Sequence, residues 1–209
     1  MDKLDTAYAT CEGLRWWPEN ELARFIGKTY GVVPFQTTVK KGLRALDLGC
    51  GNGRNSWLLY EAGFSVDGIE RSAEALTCMK DYMQRRHCED VYYDYGQATD
   101  LSSYGTQCFD LVVDCQTIQH LSVEEHFHAY TEVARVLKKG GRFWSMHWRD
   151  GHAEKLYDHW YPELRHWALS DLRWPLKEAG LGIVDESRAV SIVQDVIVAD
   201  WWVLSMVKV

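Results

Sequence analysis

Residues 46–56 read Leu46-Asp47-Leu48-Gly49-Cys50-Gly51-Asn52-Gly53-Arg54-Asn55-Ser56. The stretch continues the apolar run 43–48, which is typical of a buried strand, and leads into residues 54–61, which we predict to be a helix. Glycines between a strand and a helix let the backbone turn sharply and lie against a ligand, while the helix N-terminus adds unpaired N–H groups. The stretch therefore predicts a ligand-binding turn in an α/β fold.

The glycine spacing argues against two phosphate-binding patterns. The dinucleotide pattern G-x-G-x-x-G, set on Gly49 and Gly51, needs a third glycine where the chain has Arg54. The P-loop pattern needs G-K-[ST] after the glycines, and the sequence has none there. A glycine turn that binds no ligand remains as an alternative.

Strands and helices alternate along most of the chain. We predict a helix at 19–26, then strands at 64–69, 91–95, 109–114 and 142–148, with helices that begin at Ser72 and at Ser122. Glu125 completes a capping box with Ser122, and we predict that this helix runs to about Leu137, with the basic and glycine residues 138–141 at its end and in a turn. A helix at 170–179 precedes two strand-like runs, 182–188 and 196–207, with no helix between them. The order predicts a mostly parallel sheet with helices on both faces and an antiparallel C-terminal edge hairpin.

Composition limits the class of protein. The chain has 209 residues, 46% of them hydrophobic, with only 4 prolines and a net charge of −7. These values exclude collagen-like and disordered chains and argue against a protein that binds nucleic acid mainly through its phosphates. We expect no membrane span and no secretory signal, because no long apolar stretch is present and residues 1–5 lack the signal pattern. The six cysteines form no C-x-x-C, which favours a reduced, cytoplasmic setting.

With D-x-G-x-G-x-G between a strand and a helix, residues 46–53 resemble the first motif of the class I S-adenosylmethionine-dependent methyltransferases. Residues 50–56 are similar to small-molecule and tellurite-type methyltransferases in particular. The resemblance implies a Rossmann-like doubly wound sheet, S-adenosylmethionine as cofactor and a small-molecule acceptor. It covers residues 43–148, the cofactor-binding core of a single domain, 1–209, in which 1–42 form an N-terminal cap segment.

Acidic and amide side chains after the strands are the candidate cofactor contacts. Glu70 ends the second strand 21 positions after Gly49, where a carboxylate can accept both ribose hydroxyls. The resemblance implies that Gln97 reads the adenine amino group, where the family usually has Asp; an amide oxygen can accept that bond, and Asp100 is a substitute candidate. It also implies that the loop from Asp114 runs beside the methionine part. The predicted cofactor-binding residues are Asp47, Gly49, Cys50, Gly51, Asn52, Gly53, Asn55, Glu70, Arg71, Gln97, Ala98, Asp114, Cys115 and Gln116.

The absence of two sequence motifs excludes several classes of methyl acceptor. The loop after the fourth strand is not [DN]-P-P-[YF], the pattern of adenine-N6, cytosine-N4 and glutamine methyltransferases. No Pro-Cys dipeptide is present, which removes the nucleophile motif of cytosine-C5 enzymes. Residues 138–142 match the family's turn into the fifth strand, where we expect a structural role.

Histidines are the candidate bases, because an oxygen acceptor usually needs its proton removed. His147, at the end of the fifth strand, is the first candidate and His120, after the fourth, the second. For each, an ordinary hydrogen-bonded histidine is the structural alternative. His152, His159 and His166 recur every seven residues, about 10 Å apart on a helix, which is too far to share one ion. We predict no metal site.

Aromatic residues mark the candidate acceptor pocket. Seven of the ten tryptophans follow residue 140, and residues 149–169 read as a lid or acceptor segment or, alternatively, as a dimer contact. Near the N-terminus, Arg15 and Arg24 are candidate partners of the cofactor carboxylate, with surface charge as the alternative. The predicted substrate-binding residues are Trp16, Trp17, Arg149, Tyr157 and Trp160.

Together these features favour transfer of a methyl group from S-adenosylmethionine to an O or N atom of a polar small molecule, such as a sugar or an amine. The alternatives are a dinucleotide-dependent oxidoreductase, an RNA or protein methyltransferase, and a non-catalytic cofactor-binding subunit. We expect a cytoplasmic monomer or homodimer with no membrane or nucleic-acid partner.

Overall fold

The protein is represented by a computed structural model that describes residues 17–33, 35–149, 167–193 and 196–209, without the side chains of 191–193 and 196–199. Its strands are β1 (Arg44–Leu48), β2 (Ser65–Glu70), β3 (Val91–Tyr95), β4 (Phe109–Cys115), β5 (Leu137–Trp148), β6 (Leu181–Val193) and β7 (Val196–Lys208). They form one sheet in the order β3-β2-β1-β4-β5-β7-β6. β2 is parallel to β1 and β3, whereas β7 is antiparallel to β5 and β6. The predicted doubly wound α/β sheet with an antiparallel C-terminal hairpin is confirmed.

Five described helices accompany the strands, and several begin at the residues predicted from their caps. They are α1 (Asn20–Tyr30), α2 (Arg54–Glu61), α3 (Ala73–Arg85), α4 (Val123–Val136) and α5 (Leu169–Glu178). The Ser72 hydroxyl accepts the Ala75 N–H at the start of α3. Ser122 and Glu125 form both hydrogen bonds of the predicted capping box at the start of α4. A short 3₁₀ helix, Ile118–His120, follows β4.

The junction between α4 and β5 differs from the sequence prediction. Residues 138–141 were expected to form a turn, but β5 already begins at Leu137. Leu137 has φ −68° and ψ 139°, so the backbone becomes extended directly after the last helical residue, Val136. The helix therefore ends within one residue of its predicted end, and the predicted turn at 138–141 is wrong.

The chain separates into two compact units. The first comprises the chain up to Ala98 with Phe109–Val113, and the second comprises Thr99–Cys108 with Asp114–Val209. The first buries apolar side chains of β1, α2 and α3, among them Leu46, Leu48, Leu58, Leu59 and Met79. The second buries side chains of α4, β5, α5 and β7, among them Tyr130, Phe143, Trp144, Leu172, Leu204 and Met206. The single domain predicted for residues 1–209 stays a prediction. Among the described helices, none has the length and apolar character needed to cross a membrane.

Candidate functional site

The glycine loop in the first unit has the backbone conformation that its sequence predicts. Gly49, Gly51 and Gly53 have φ of 66°, 54° and 84°, a region that other residues rarely adopt. The Gly49 and Cys50 amides donate to the Ile69 carbonyl at 2.8 and 3.1 Å, which holds the loop against the end of β2. A Cβ on Gly53 would lie 2.8 Å from one side-chain atom each of Met79 and Met83, so the loop packs closely on α3.

The buried carboxylate of Glu70 organises this loop. Oε2 accepts the Gly51 N–H at 3.0 Å, and Oε1 accepts the N–H groups of Arg71 and Ser72 at 2.8 and 3.0 Å. An ionised carboxylate offers about four acceptor positions, so one on Oε2 remains after these three bonds. A ribose hydroxyl could donate to that position, and the site therefore fits the nucleoside of the predicted cofactor.

Asp47 lies beneath the loop with its side chain buried. The Ser56 hydroxyl donates to Oδ2 of Asp47 at 2.6 Å. Burial raises the pKa of Asp47 to about 6, while the Ser56 hydrogen bond and the Arg54 charge oppose that rise. Asp47 therefore holds the start of α2 in place through Ser56.

Of the other predicted cofactor residues, some point into the core and others are exposed. The Cys50 thiol lies 3.3 Å from the Met79 sulfur inside the core, so only the backbone of Cys50 remains to face a ligand. Asn55 accepts the Glu19 N–H at 2.9 Å, which joins the N-terminus of α2 to the segment before α1. Gln97 is exposed directly after β3, and Ala98 is buried.

In the second unit, Asp114 stands at the end of β4 with a fully enclosed carboxylate. Oδ1 accepts the N–H groups of Thr117 and Ile118 at 2.8 and 3.1 Å. Oδ2 accepts the Ser145 hydroxyl at 2.6 Å. Burial raises the pKa of Asp114 to about 6, against the effect of these hydrogen bonds.

His147 belongs to the same cluster and is fully buried. Its Nε2 lies 2.6 Å from Oγ of Ser145, 3.5 Å from the Tyr130 hydroxyl and 3.7 Å from Oδ2 of Asp114. Nδ1 is buried and has no hydrogen-bond partner among the described residues. Burial, and secondarily the charge of His120, lowers the pKa of His147 to about 3, so the ring is neutral at physiological pH.

The loop after β4 is tied to the end of β5. The backbone N–H of Gln116 donates to the Met146 carbonyl at 3.1 Å, and Gln116 has a positive φ of 69°. The side chain of Gln119 accepts the Trp148 N–H at 2.8 Å. His120, the second candidate base, is exposed on the short helix of this loop, and Cys115 is half-buried at its start.

Arg149, a predicted substrate contact, donates to the buried carboxylate of Asp200 at 2.8 Å, and Arg188 donates to the same carboxylate. The guanidinium of Arg149 also lies over the ring of Trp202, 5.1 Å from its centroid. Any anion would therefore have to share Arg149 with Asp200.

The N-terminal candidates make no contact that defines a pocket among the described residues. Trp17 is 75% exposed, and Arg24 pairs with Glu21 at 3.0 Å. The remaining aromatic, arginine and histidine candidates lie outside the described residues: Arg15, Trp16, His152, Tyr157, His159, Trp160, Tyr161 and His166. Within the described part of the chain, no group of three or more His, Cys, Asp or Glu could hold a metal ion.

Sequence reasoning gave no role to Ser56, Tyr130 or Ser145. Ser145 precedes His147 by two positions in a predicted strand, and this period places both side chains on one face. That signal could have found Ser145. Tyr130 reaches His147 from α4 by tertiary packing, for which the sequence carries no local signal.

The chain was compared with known protein families, proteins and solved structures. Residues 39–190 match a family model described as "Methyltransferase domain". The chain is 29% identical over 126 residues to 27-O-demethylrifamycin SV methyltransferase of Amycolatopsis mediterranei (strain S699), a match that covers 59% of this chain and 44% of that protein. It is 29% identical over 123 residues to a ubiquinone biosynthesis O-methyltransferase of Caulobacter sp. (strain K31), covering 59% and 46%. The match thus spans less than half the length of each relative.

Solved structures share the fold at low identity. YcgJ of Bacillus subtilis superimposes with a TM-score of 0.72 at 17% identity, covering 91% of this chain and 99% of that one. The [4+2]-cyclase SpnF gives a TM-score of 0.71 at 19% identity, covering 92% and 86%. At such identities the likeness shows the fold alone, and the cyclase illustrates that one fold can carry different activities.

Proposed function

Because the chain belongs to the methyltransferase domain family, we propose that it transfers a methyl group from S-adenosylmethionine to an O or N atom of a polar small molecule. The observation that carries the proposal is the glycine loop with the Glu70 carboxylate bound to the Gly51 N–H, which leaves an acceptor position for a ribose hydroxyl. The bound cofactor supplies a methyl group on a positively charged sulfur, which is already a good leaving group.

The proposed cofactor contacts extend beyond Glu70. The loop 49–53 lies against the nucleoside, Asp47 supports it through Ser56, and Gln97 accepts a hydrogen bond from the adenine amino group. The methionine part runs beside the loop from Asp114. Arg54 is already paired with Glu19 and donates to the Trp17 carbonyl, where a dinucleotide enzyme would have its third glycine. This supports S-adenosylmethionine over a dinucleotide.

A hydroxyl oxygen is the favoured acceptor atom. Two observations support it: curated relatives are named as O-methyltransferases, and the buried His147 offers a neutral ring nitrogen without a described partner. A hydroxyl must lose its proton on methylation, whereas an amine needs only to be neutral and aligned. We therefore assign His147 as the general base, with His120 as the second candidate.

We propose that the acceptor is a small metabolite. Trp16, Trp17, Arg149, Tyr157 and Trp160 stay its predicted contacts, and Trp16, Tyr157 and Trp160 lie outside the described residues. The net charge of −7 opposes a polyanionic substrate such as RNA. We further propose a cytoplasmic enzyme that works as a monomer or homodimer.

Methyl transfer can be tested directly with S-adenosylmethionine labelled in its methyl group. The protein is incubated with panels of sugars, hydroxylated aromatic compounds and amines, and both labelled product and S-adenosylhomocysteine are measured. We expect one S-adenosylhomocysteine per methylated product with at least one hydroxyl compound. Transfer to amines only would contradict the hydroxyl assignment, and transfer to RNA or protein only would contradict the small-molecule class.

A further inference from the structure

Ser145 joins Asp114 to His147 through a single hydroxyl group. Its Oγ lies 2.6 Å from Oδ2 of Asp114 and 2.6 Å from Nε2 of His147. A serine hydroxyl has one hydrogen to donate, and an ionised carboxylate can only accept. The hydrogen of Ser145 therefore points to Asp114, and Oγ accepts a hydrogen from His147.

This direction fixes the tautomer of His147. A neutral imidazole carries one N–H, and the bond to Ser145 places it on Nε2. Nδ1 then holds a lone pair, buried and without a partner among the described residues. Burying an acceptor without a hydrogen-bond partner destabilises a fold, so an Nδ1 that has no partner among the described residues and is held in a defined orientation points to a use for it.

We propose that Asp114 and Ser145 are positioning residues that hold His147 as the Nε2–H tautomer, so that Nδ1 takes the proton of a hydroxyl acceptor. The proposal rests on the proposed function. As the acceptor oxygen bonds to the methyl carbon, the C–S bond breaks with its electron pair left on sulfur, and the hydroxyl proton passes to Nδ1. His147 then carries a proton on each nitrogen, and Asp114 stabilises this cation through Ser145 until the proton leaves to solvent.

The geometry of Asp114 makes one substitution especially informative. Oδ1 accepts two backbone N–H groups, so the amide of Asp114→Asn must keep its oxygen there and turn its NH₂ toward Ser145. The Ser145 hydroxyl then has to accept from the amide and donate to Nε2 of His147. The proton of His147 consequently moves to Nδ1, which removes the basic lone pair with little change in shape.

Tautomers of histidine can be read without substrate or cofactor from long-range ¹H–¹⁵N spectra of ¹⁵N-labelled protein. At pH 8 we expect wild type to show a protonated Nε2 and a bare Nδ1 on His147, with the signals assigned by their loss in His147→Gln. Asp114→Asn should show the reverse. Ser205→Ala, a buried serine on β7, and Tyr130→Phe, whose hydroxyl is 3.5 Å from Nε2, should leave the wild-type tautomer in place.

A wild-type ring protonated on Nδ1, or an Asp114→Asn ring that keeps Nε2–H, would overturn the proposal. The wild-type spectrum decides this even where the variant does not fold. With an acceptor in hand, Asp114→Asn should also lower kcat about 10²–10⁴-fold, the usual contribution of a general base. Failure of the wild-type protein to bind S-adenosylhomocysteine would instead contradict the proposed function and leave the tautomer result standing.

Discussion

Asp47 of the first unit and Asp114 of the second are both buried aspartates bound to a serine hydroxyl, but they differ in what that serine contacts. Each is buried near the end of a strand and accepts a serine hydroxyl at 2.6 Å, and burial raises each pKa to about 6. The partner of Asp47 is Ser56, nine residues away at the start of the next helix. The partner of Asp114 is 31 residues away and contacts His147. Asp47 thus holds the start of α2, whereas Asp114, on our proposal, orients the base His147.

The largest expected effect lies on the loop side. Gly51→Arg should abolish measurable binding of S-adenosylhomocysteine in a calorimetric titration, because the residue has φ 54° and its N–H binds Glu70. Gly42→Arg is the matched control: Gly42 also has a positive φ, but among the described residues no heavy atom beyond its chain neighbours lies within 4 Å of a Cβ built there. Equal loss in both variants would mean that backbone strain, and not the ligand cradle, is responsible.

On the Asp114 side, His147→Gln should lower kcat about 10²–10⁴-fold while the affinity for S-adenosylhomocysteine stays unchanged. The reason is that Nδ1 of His147 is assigned to the acceptor proton. His128→Gln, an exposed histidine on α4, is the control. Near-normal turnover of His147→Gln, together with a large loss in His120→Gln, would transfer the role of base to His120.

Ser56 and Ser145, the partners of the two aspartates, should differ in their effect on turnover. Ser145→Ala should lower kcat about 10–100-fold at saturating cofactor, because the orientation of His147 is lost. Ser56→Ala should leave that kcat unchanged and instead reduce the free energy of unfolding or of cofactor binding by about 1–3 kcal/mol. If Ser56→Ala lowered the saturating turnover as strongly, the two aspartates would not differ in function.

The smallest effect concerns pH and stability. The pKa of Asp47 rises from its ordinary 3.8 to about 6 on folding, so ionisation of this carboxyl opposes folding. Its contribution to stability is complete below pH 3.8 and is lost as the pH rises through 6. Asp47→Asn should therefore gain about 2 kcal/mol relative to wild type between pH 4 and pH 7 in urea unfolding. Asp81→Asn, at an exposed position, should show no such change. A loss of stability in Asp47→Asn relative to wild type over this pH range would contradict the argument from burial.

Local chemistry explains which parts of the fold the sequence could predict. α2 was predicted with its bounds because glycines flank it, and α4 because Ser122 and Glu125 cap it. The end of α4 agrees with its prediction to within one residue, but Leu137 is extended and residues 138–141 belong to β5 where a turn is predicted. Glycine and lysine after a helix are compatible with either outcome.

The two halves of the candidate site were predictable to different degrees. Glu70 could be placed from the spacing between a glycine loop and the next strand end, because that distance is set by one strand–helix–strand unit. The hydrogen-bonded set of Asp114, Ser145 and His147 could not be predicted, because its members come from β4 and β5 and meet only when the sheet forms. The sequence carries no local signal that Asp114 binds a serine hydroxyl 31 residues away.

The cofactor assignment is tested by calorimetric titration of the wild-type protein with S-adenosylhomocysteine, with NADH in parallel. We expect micromolar-range binding of S-adenosylhomocysteine and no heat of binding with NADH. Binding of NADH without S-adenosylhomocysteine, by a protein shown to be folded, would contradict S-adenosylmethionine as the cofactor and favour a dinucleotide enzyme on the same sheet.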